Sequence, residues 1–448
     1  MAGPISTVAA GLGGGCMLER AFKNVGWTVG THCNATCGHC YSWKARRNLG
    51  GFLTTGDVER VIQQLKGIGV QTVNLGGNEP IFTHGPSIHE TILPNIIRAL
   101  HEAGIVVGLT TNGISFTYLD AHHPDELRML NDIDFSLDSP LKDEHDLNRG
   151  TKLYQLVTGA IARANELGVA CGIITCGMRK NFTVDYLSGF LALANSLGCE
   201  FRVNTLKPVE PALVLEMPGP EQFYEAFAFL MENSRCITLG ESCITAFTGT
   251  GHEGCPCGSS SFRICGKTEG GTIPITPCVY LNEFSCGDLL VDEITEILEN
   301  PVFRALAQRR EALPRPCLEA DCGYLASCRG GCAARAFLVN GALDSKDPYC
   351  PYDYVMRHGA RPLLPARPEV GCTTGVRVHD NYLCTWIGLP SPDFADERFG
   401  SPFRPAPGNG PIQGIRLLSG CRQVGRYGAG VSPSLVRAKP GDGGSGDT

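Results

Sequence analysis

The stretch THCNATCGHCYSW, residues 31–43, carries three closely spaced thiols and follows the apolar segment GWTVGT, residues 26–31. The thiols are separated by three and then two residues: Cys33, Cys37 and Cys40. A four-iron cluster held by three thiolates keeps one iron with an open coordination position, as a catalytic metal site requires. The motif alone also allows a zinc knuckle that borrows a fourth ligand such as His32 or His39.

Composition and charge are those of an ordinary globular protein. The chain has 448 residues, a formal net charge of −7 and 43% hydrophobic residues. Nucleic acids and anionic membranes bind basic protein surfaces, and a net negative charge gives no sign of one, so we expect neither partner. No apolar run approaches the roughly 20 residues of a membrane span. The apolar N-terminus is not preceded by the basic residue that a secretory signal carries, so we expect no such signal. We therefore expect a cytoplasmic protein whose crowded cysteines bind metal rather than form disulfides.

Short β-rich segments alternate with helical patterns between residues 26 and 210. The six predicted strands cover residues 26–31, 71–77, 105–111, 132–138, 170–175 and 200–205. Apolar residues at helical spacing between the strands, such as Val58, Val61 and Leu65, predict helices with one buried stripe. This alternation predicts parallel β/α units with right-handed crossovers. An open doubly wound sheet and a partial β/α barrel both satisfy it.

Four polar motifs each end a predicted strand, and a fifth follows the last of them. They are CNATCGHC (33–40), GGNEP (76–80), TTNG (110–113), SLDSP (136–140) and HDLNRG (145–150). In this order the motifs resemble the radical S-adenosylmethionine (radical SAM) superfamily. The resemblance implies a partial (β/α)6 barrel, a [4Fe-4S] cluster on the cysteine trio and S-adenosylmethionine on the open iron. It further implies a 5′-deoxyadenosyl radical that abstracts hydrogen from a substrate, while the protein positions the radical and excludes water.

The resemblance also implies which residues contact the cofactor. Backbone carbonyls of the GGNEP loop take its ammonium group, because glycine lets the backbone approach a ligand closely. Glu79 adds a charge-assisted hydrogen bond to that group, and Arg149 pairs with the cofactor carboxylate. Asn78 stands where the family often has glycine and also tolerates unusual backbone angles. The expected set is Gly76, Gly77, Asn78, Glu79, Asn112, Ser136, Asp138 and Arg149.

A second group of cysteines lies in residues 255–350, a segment too poor in apolar stretches to fold on a large core. From the residues alone, both iron–sulfur clusters and two structural zinc sites are open interpretations. The run CLEADCGYLASCRGGC (317–332), with TPC (276–278) and DPYC (347–350), resembles a SPASM domain. That module follows many radical SAM barrels and binds auxiliary iron–sulfur clusters.

The resemblance implies two auxiliary [4Fe-4S] clusters with interleaved ligands. One would take Cys278, Cys332 and two of Cys255, Cys257 and Cys265. The other would take Cys317, Cys322, Cys328 and Cys350. Four residues separate Cys317 from Cys322 where the family usually has two, and Ile273 replaces a family glycine. These departures leave the ligand at one corner in question.

The remaining cysteines and the C-terminal segment are assigned no chemistry. Five isolated cysteines in apolar contexts are expected to be small core residues: Cys171, Cys176, Cys199, Cys236 and Cys243. The last ninety or so residues are rich in Pro, Gly and Arg without periodicity, which predicts a disordered tail. The expected domains are an N-terminal extension (1–25), a radical SAM barrel (26–235), a SPASM domain (236–358) and the tail (359–448).

The resemblance supports three classes of function. SPASM architecture favours modification of a ribosomal peptide or protein by a crosslink, a thioether or an oxidation. About 25 residues precede the first predicted strand, which leaves no room for a leader-recognition domain, so a separate recognition protein is expected. The alternatives are a dehydrogenase or epimerase acting on a small natural-product intermediate, and a non-catalytic iron–sulfur or zinc scaffold.

Further partners and contacts follow from the same reasoning. An electron donor such as flavodoxin or ferredoxin is expected to reduce the cluster. A sulfatase-maturing enzyme is disfavoured because Val279, rather than aspartate, follows Cys278. No catalytic acid or base can be assigned. Four residues near strand ends are candidates either for substrate contacts or for packing: Tyr41, Trp43, Lys207 and Glu210.

Overall fold

The computed structural model describes residues 21–42, 50–249, 254–312, 315–320, 322–365 and 385–399. All of them belong to the unit that spans Met1–Arg416, and the second unit, Leu417–Thr448, lies outside the described residues. In the described ranges, no helix has both the length and the apolar character to cross a membrane.

Ten strands form a single sheet. They are β1 (Asn24–Thr28), β2 (Thr72–Gly76), β3 (Val106–Thr111), β4 (Leu130–Ser136), β5 (Ala170–Gly177), β6 (Glu200–Thr205), β7 (Ser234–Leu239), β8 (Ser261–Ile264), β9 (Ile275–Thr276) and β10 (Trp386–Pro390). The strand order is β7-β10-β6-β5-β4-β3-β2-β1-β8-β9. All six predicted strands are confirmed as β1–β6, which are parallel and adjacent in chain order. A doubly wound sheet would reverse its order near the middle, so the fold is the open, partial barrel.

The α-helices of the described residues connect the parallel strands and continue through the cysteine-rich region. They are α1 (Thr55–Gly67), α2 (Leu93–Glu102), α3 (Ile114–His122), α4 (Pro124–Met129), α5 (Lys142–Arg149), α6 (Tyr154–Glu166), α7 (Val184–Leu197), α8 (Pro220–Glu232), α9 (Ser242–Thr248), α10 (Ile294–Ile297), α11 (Pro301–Ala312), α12 (Arg315–Glu319), α13 (Leu325–Cys328), α14 (Ala333–Asn340) and α15 (Pro351–His358). Helix α1 begins with a capping box between Thr54 and Asp57. Its predicted stripe is confirmed, since Val58, Val61 and Leu65 are buried.

The two faces of the sheet differ in polarity because successive strand residues point to opposite sides. On β6, Phe201 is fully buried and stacks on Phe190 of α7, with ring centroids 5.0 Å apart. The next residue, Arg202, points the other way, and its Nη1 donates to Asp134 Oδ2 of β4 at 2.5 Å. Asn204 follows on the same side as Arg202. The concave face of the barrel is therefore polar, and the cavity described below opens on it.

Strand β10 corrects one prediction. It pairs antiparallel with both β6 and β7 and so lies between them in the sheet. Trp386 is fully buried and Ile387 almost so. The predicted disorder of residues 359–448 is therefore wrong for this segment, while most of that range lies outside the described residues. Periodicity missed the strand because its five residues, Trp386–Pro390, sit in a Pro- and Gly-rich context.

The cysteine-rich region is attached directly to the barrel. Strand β8 extends the sheet beside β1, and Arg263 Nε donates to Thr28 Oγ1 at 3.0 Å. Gln64 of helix α1 donates to the carbonyl of Asp292 at 3.0 Å and accepts from the amide of Ile294 at 3.1 Å. These contacts fix the second cysteine group relative to the parallel strands.

Candidate active site

A cavity of about 150 Å³ opens at the carboxyl ends of the parallel strands, where β/α barrels place their active sites. The three N-terminal cysteines line it, together with all but one of the predicted cofactor residues: Gly77, Asn78, Glu79, Asn112, Ser136, Asp138 and Arg149. The exception, Gly76, is the last residue of β2, and a Cβ there would lie 3.4 Å from Asn74 Nδ2 and from Thr110 Cβ. Residues from four separate strand ends and from the end of a helix thus meet at one place, as the sequence predicts.

The cysteine loop is fixed to the barrel by backbone hydrogen bonds. The amide of Thr36 donates to the carbonyl of Arg149 at 2.9 Å, and the amide of Cys40 donates to the carbonyl of Cys37 at 3.2 Å. A side chain at Gly150 would collide with Thr36, its Cβ lying 2.1 Å from Oγ1. The loop therefore packs closely on the end of helix α5.

The three thiols are spaced too widely for one zinc ion. In the described part of the chain, only Glu241, Cys243 and Asp347 bring three candidate ligand atoms within 4.8 Å of one another. Sulfurs around a tetrahedral zinc, with Zn–S of about 2.3 Å, lie about 3.8 Å apart. The ring of His32 packs against Phe82 instead. A larger cluster, bridging several metal ions, fits this donor set better than zinc does.

Asp138 and Arg149 form an ion pair beside the thiols. Arg149 Nε lies 2.7 Å from Asp138 Oδ2, Nη2 donates to Oδ1 at 3.0 Å, and Nη1 donates to Cys37 Sγ at 3.5 Å. Burial disfavours the charged form of Asp138, yet Arg149 holds the pKa of this carboxyl below its ordinary value. Burial also works against the charge of Arg149, but Asp138 and Cys37 raise the pKa of the guanidinium. The pair stays ionised, and the cofactor role of Arg149 stays a prediction.

Two histidines flank this ion pair. His39 Nε2 lies 3.5 Å from Asp138 Oδ2, and burial lowers the pKa of His39. His145 is fully buried, and its Nδ1 accepts the backbone N–H of Asp138 at 3.1 Å. Burial, reinforced by Arg149, lowers the pKa of His145 to about 4. The ring of His145 is therefore neutral at pH 7 and acts as a fixed acceptor behind Asp138.

The GGNEP loop depends on glycine at its turn. Gly77 has φ of +99°, and a Cβ there would lie 2.4 Å from Thr28 Oγ1. The next residue, Asn78, donates from Nδ2 to the carbonyl of Gly30 at 2.9 Å. Its Oδ1 is buried at the cavity and accepts no hydrogen bond in the described structure. Because an unsatisfied buried acceptor costs about 1–3 kcal/mol, this oxygen points to a ligand that carries N–H groups.

Glu79 holds the neighbouring loop in place. Its Oε2 accepts the amide of Asn112 at 2.8 Å, and its Oε1 accepts Thr111 Oγ1 at 2.5 Å and the amide of Ser115 at 3.0 Å. Burial raises the pKa of Glu79, and these donors oppose the rise. Because both oxygens are engaged by the loop after β3, the expected bond from Glu79 to the cofactor stays a prediction.

Comparison with known proteins identifies this arrangement. Residues 27–184 match the family described as the radical SAM superfamily. These residues form a radical SAM domain. The superfamily implies a [4Fe-4S] cluster and S-adenosylmethionine, and the cysteine trio falls inside the matched range.

Curated relatives of this radical SAM protein cover most of its length. The mycofactocin maturase MftC of Mycobacterium ulcerans is 27% identical over 366 residues, which are 78% of this chain and 94% of the relative. An AdoMet-dependent heme synthase of Oleidesulfovibrio alaskensis is 24% identical over 354 residues, covering 74% of this chain and 88% of the relative.

Solved radical SAM structures share the fold. Streptococcus suis SuiB bound to precursor peptide SuiA has a TM-score of 0.53 and 15% identity, covering 75% of this chain and 76% of SuiB. The enzyme anSMEcpe with bound AdoMet has a TM-score of 0.56 and 14% identity, covering 75% of this chain and 97% of anSMEcpe. These likenesses agree with the partial barrel and with the SPASM-type region that follows it.

The side of the cavity opposite the GGNEP loop is formed by residues from the ends of β5 and β6, and the sequence predicted only some of them. Cys176 is half-buried: it packs against the core, as expected, and it also lines this wall. It lies beside Asn204 in the register of β5 and β6, and burial raises the pKa of the Cys176 thiol to about 12. Asn204 Oδ1 is buried and accepts no hydrogen bond in the described structure. Strand alternation from Arg202 predicts the direction of Asn204, but the placement of Cys176 needs the register.

A lysine and two tyrosines complete this wall. Lys207 Nζ lies 5.4 Å from the ring centroid of Tyr280, which in turn packs edge-on against Tyr41 at 5.3 Å. Tyr41 and Lys207 line the cavity, and their contact with a substrate stays a prediction. Glu210 is not among the lining residues, and Trp43 lies outside the described residues. Tyr280 was missed, although it follows Cys278 by two residues.

The four cysteines expected at the second auxiliary site come together. Cys317, Cys322, Cys328 and Cys350 line one small pocket. Burial raises the pKa of the Cys317 thiol to about 11 and that of Cys350 to about 12. As at the N-terminal trio, no three of these sulfurs lie within 4.8 Å of one another, so the pocket fits a cluster better than one zinc ion.

The structure also separates the three candidates for the first auxiliary site. Cys257 is in hydrogen-bonding contact with Cys255 and Cys278, and these three pack in one cluster with Cys332. Cys265 lies elsewhere, beside Cys286. Of the alternatives left open by the sequence, the pair Cys255 and Cys257 is the one brought together with Cys278 and Cys332.

Proposed function

We propose that the chain holds a [4Fe-4S] cluster on Cys33, Cys37 and Cys40 and binds S-adenosylmethionine at the open iron. The observation that carries the proposal is the meeting of three widely spaced thiols and the GGNEP loop in one cavity. When bound, the cluster and the cofactor supply a 5′-deoxyadenosyl radical that abstracts a hydrogen atom from the substrate. The residues of the chain bind and orient the partners and exclude water from the cavity.

Each end of the cofactor has a proposed partner. The unsatisfied Oδ1 of Asn78 and the backbone carbonyl of Gly77 would take the ammonium group. Arg149, held by Asp138 beside Cys37, would take the carboxylate. Glu79 would act mainly by holding the loop after β3, since both its oxygens are engaged there. The other proposed contacts are Gly76, Asn112 and Ser136.

We propose a ribosomally made peptide as the substrate class. Relatives that cover most of the chain are named mycofactocin maturases, and a maturase acts on a precursor. The unsatisfied oxygen of Asn204 and the cation of Lys207 offer an acceptor and a charge on the side of the cavity away from the GGNEP loop. A peptide backbone supplies both N–H and carbonyl groups to such a wall. The expected modification is a crosslink, a thioether or an oxidation.

A small-molecule substrate is the second candidate. It is favoured by the relatives named AdoMet-dependent heme synthases, at 24% and 25% identity, because heme is a small molecule. In either case we propose two auxiliary [4Fe-4S] clusters, one on Cys317, Cys322, Cys328 and Cys350 and the other on Cys255, Cys257, Cys278 and Cys332. An electron donor such as flavodoxin or ferredoxin, and for a peptide a separate recognition protein, would complete the system.

The test of the radical chemistry uses the full chain, reconstituted without oxygen. We expect about twelve irons per chain, in three clusters of four, and release of 5′-deoxyadenosine with S-adenosylmethionine and a reductant. Cys33→Ala is expected to lose about four irons and all product. Cys199→Ala, at a buried thiol outside the three cysteine groups, is the matched control and is expected to retain both. Zinc in place of iron would support the scaffold alternative and contradict the proposal.

The substrate class needs a separate assay. A short peptide encoded beside the gene would be incubated with the reduced enzyme and followed by mass spectrometry. A mass change that disappears in Cys33→Ala supports the peptide proposal. Turnover of a small intermediate, with no change in any such peptide, would favour the second candidate instead.

A further inference from the structure

A fully buried ion network lies between the two auxiliary cysteine groups. Arg335 Nε donates to Asp347 Oδ1 at 2.8 Å, its Nη2 donates to Asp347 Oδ2 at 2.7 Å and to Glu241 Oε1 at 2.8 Å. Its Nη1 donates to Thr205 Oγ1 at 2.9 Å. Tyr349 covers the guanidinium, with 4.5 Å between the guanidinium carbon and the ring centroid. All the acids and the base are buried, so the arrangement is rigid.

The same network is attached to ligands of both proposed auxiliary sites. Asp347 Oδ2 accepts the amide of Cys332 at 2.7 Å, and Asp347 Oδ1 accepts the amide of Tyr349 at 2.9 Å, directly before Cys350. A Cβ at Gly331 would lie 2.5 Å from the side chain of Asp347, so the cysteine loop packs tightly on this carboxylate. The network thereby fixes the backbone at one ligand of each site.

Cys243 is a fifth thiol beside the second auxiliary pocket. Its sulfur is fully buried, and Arg335 Nη2 donates to it at 3.8 Å. Helix α9, which carries Cys243, packs against helix α13, which ends at Cys328, and this places the thiol in contact with one of the four pocket cysteines. Glu241, Cys243 and Asp347 satisfy the distances of a metal site, but the guanidinium of Arg335 already binds all three. Arg335 therefore takes the place of a metal ion among these three side chains, and Cys243 remains a thiol next to the pocket of Cys317, Cys322, Cys328 and Cys350.

The direction of the hydrogen bond follows from the charge state. A cluster ligand is a thiolate and has no proton to donate, so with a cluster present Cys243 must donate its S–H to Cys328. The N–H of Arg335 occupies a lone pair of Cys243 and orients that S–H. Hydrogen bonds to ligating sulfurs are among the interactions that set the potential of an iron–sulfur cluster. They favour the reduced state, because it carries the additional negative charge.

We propose that Cys243, oriented by Arg335, is a positioning residue that raises the reduction potential of the cluster held by Cys317, Cys322, Cys328 and Cys350. The proposal rests on the proposed function, since it requires iron at that pocket. It assigns a role to a thiol that sequence reasoning placed among inert core residues.

The test is an EPR-monitored redox titration of the full chain, reconstituted without oxygen. The signal of the second auxiliary site is assigned as the one lost in Cys317→Ala. Cys243→Ala is expected to keep the iron content and to move the midpoint of that signal to a more negative potential. Cys243→Ser keeps an O–H donor and is expected to retain the midpoint of the unaltered chain. Cys199→Ala is the control for loss of a buried thiol elsewhere and is expected to change neither.

Each other outcome overturns the inference. An unchanged midpoint in Cys243→Ala, with full iron content, shows that the thiol does not affect the cluster. Loss of about four irons in Cys243→Ala and not in Cys199→Ala shows that Cys243 is a ligand instead. If Cys317→Ala removes no iron and no signal, the proposed auxiliary cluster itself fails, and the inference fails with it.

Discussion

Lowering the pH from 7.5 to 5.5 is expected to destabilise the chain through His145. This side chain is fully buried, and its Nδ1 accepts the backbone N–H of Asp138. Protonation of Nδ1 would remove the acceptor and place a second cation near Arg149. Burial, reinforced by Arg149, lowers the pKa of His145 from 6.5 to about 4.

The sign and size follow from proton linkage. Below pH 6.5 the unfolded chain binds a proton on His145 that the folded chain does not, so stability is complete above that pH and falls as the pH approaches about 4. The total loss of unfolding free energy between these two pKa values is about 3 kcal/mol, because each unit of pKa difference corresponds to about 1.4 kcal/mol. At pH 5.5 about 1.4 kcal/mol of it is lost.

The assay compares urea unfolding of the unaltered chain and of His145→Asn at both pH values. Asparagine can place Oδ1 near the Nδ1 position to accept from Asp138, and it does not titrate. All other groups, including His39, are common to the two proteins, so the difference between their pH-dependent losses isolates His145. We expect the unaltered chain to lose about 1.4 kcal/mol more than the variant. Equal losses in the two proteins would refute the assignment of a neutral, buried His145.

Three further perturbations test other parts of the structure. Trp386→Ala is expected to cost about 3–5 kcal/mol of unfolding free energy, whereas Leu363→Ala, at a side chain 94% exposed, should stay within about 0.5 kcal/mol in the same urea titration; equal effects would mean that β10 is not part of the core. Gly77→Ala is expected to weaken S-adenosylmethionine binding about tenfold in equilibrium dialysis, since left-handed backbone costs other residues about 1–2 kcal/mol. Gly159→Ala, in open space on helix α6, should bind normally. Cys265→Ala should retain its full iron content, and a loss of iron would reassign the first auxiliary site.

Much of the barrel could be predicted because its signals are local. Apolar runs bounded by helical stripes predicted β1–β6, and the polar motifs that end these strands predicted the residues that meet at the cavity. The carboxyl ends of parallel strands lie at one edge of a sheet whatever their order, so this grouping needs no tertiary detail. The sequence did not choose between a doubly wound sheet and a barrel, because strand order is not encoded in periodicity.

The parts that could not be predicted depend on long-range pairing. Strand β10 joins β6 across more than 180 residues of chain, and its own five residues carry no distinctive period. Cys176 faces the cavity because of the register between β5 and β6, and its apolar neighbours suggested a core thiol. Arg335 and Cys243 come into contact only in the folded chain, across 92 residues of sequence. Cys257 lies beside Cys255 and Cys278, whereas Cys265 lies near Cys286, and this difference likewise depends on the tertiary fold.

The most direct test of the central claim is electron–nuclear double resonance on the reduced chain with S-adenosylmethionine carrying nitrogen-15 at its amino group. We expect a hyperfine coupling between the cluster on Cys33, Cys37 and Cys40 and the labelled nitrogen, and we expect it to be absent in Cys33→Ala. A chain that holds its full iron and binds the cofactor, yet shows no such coupling, would contradict it.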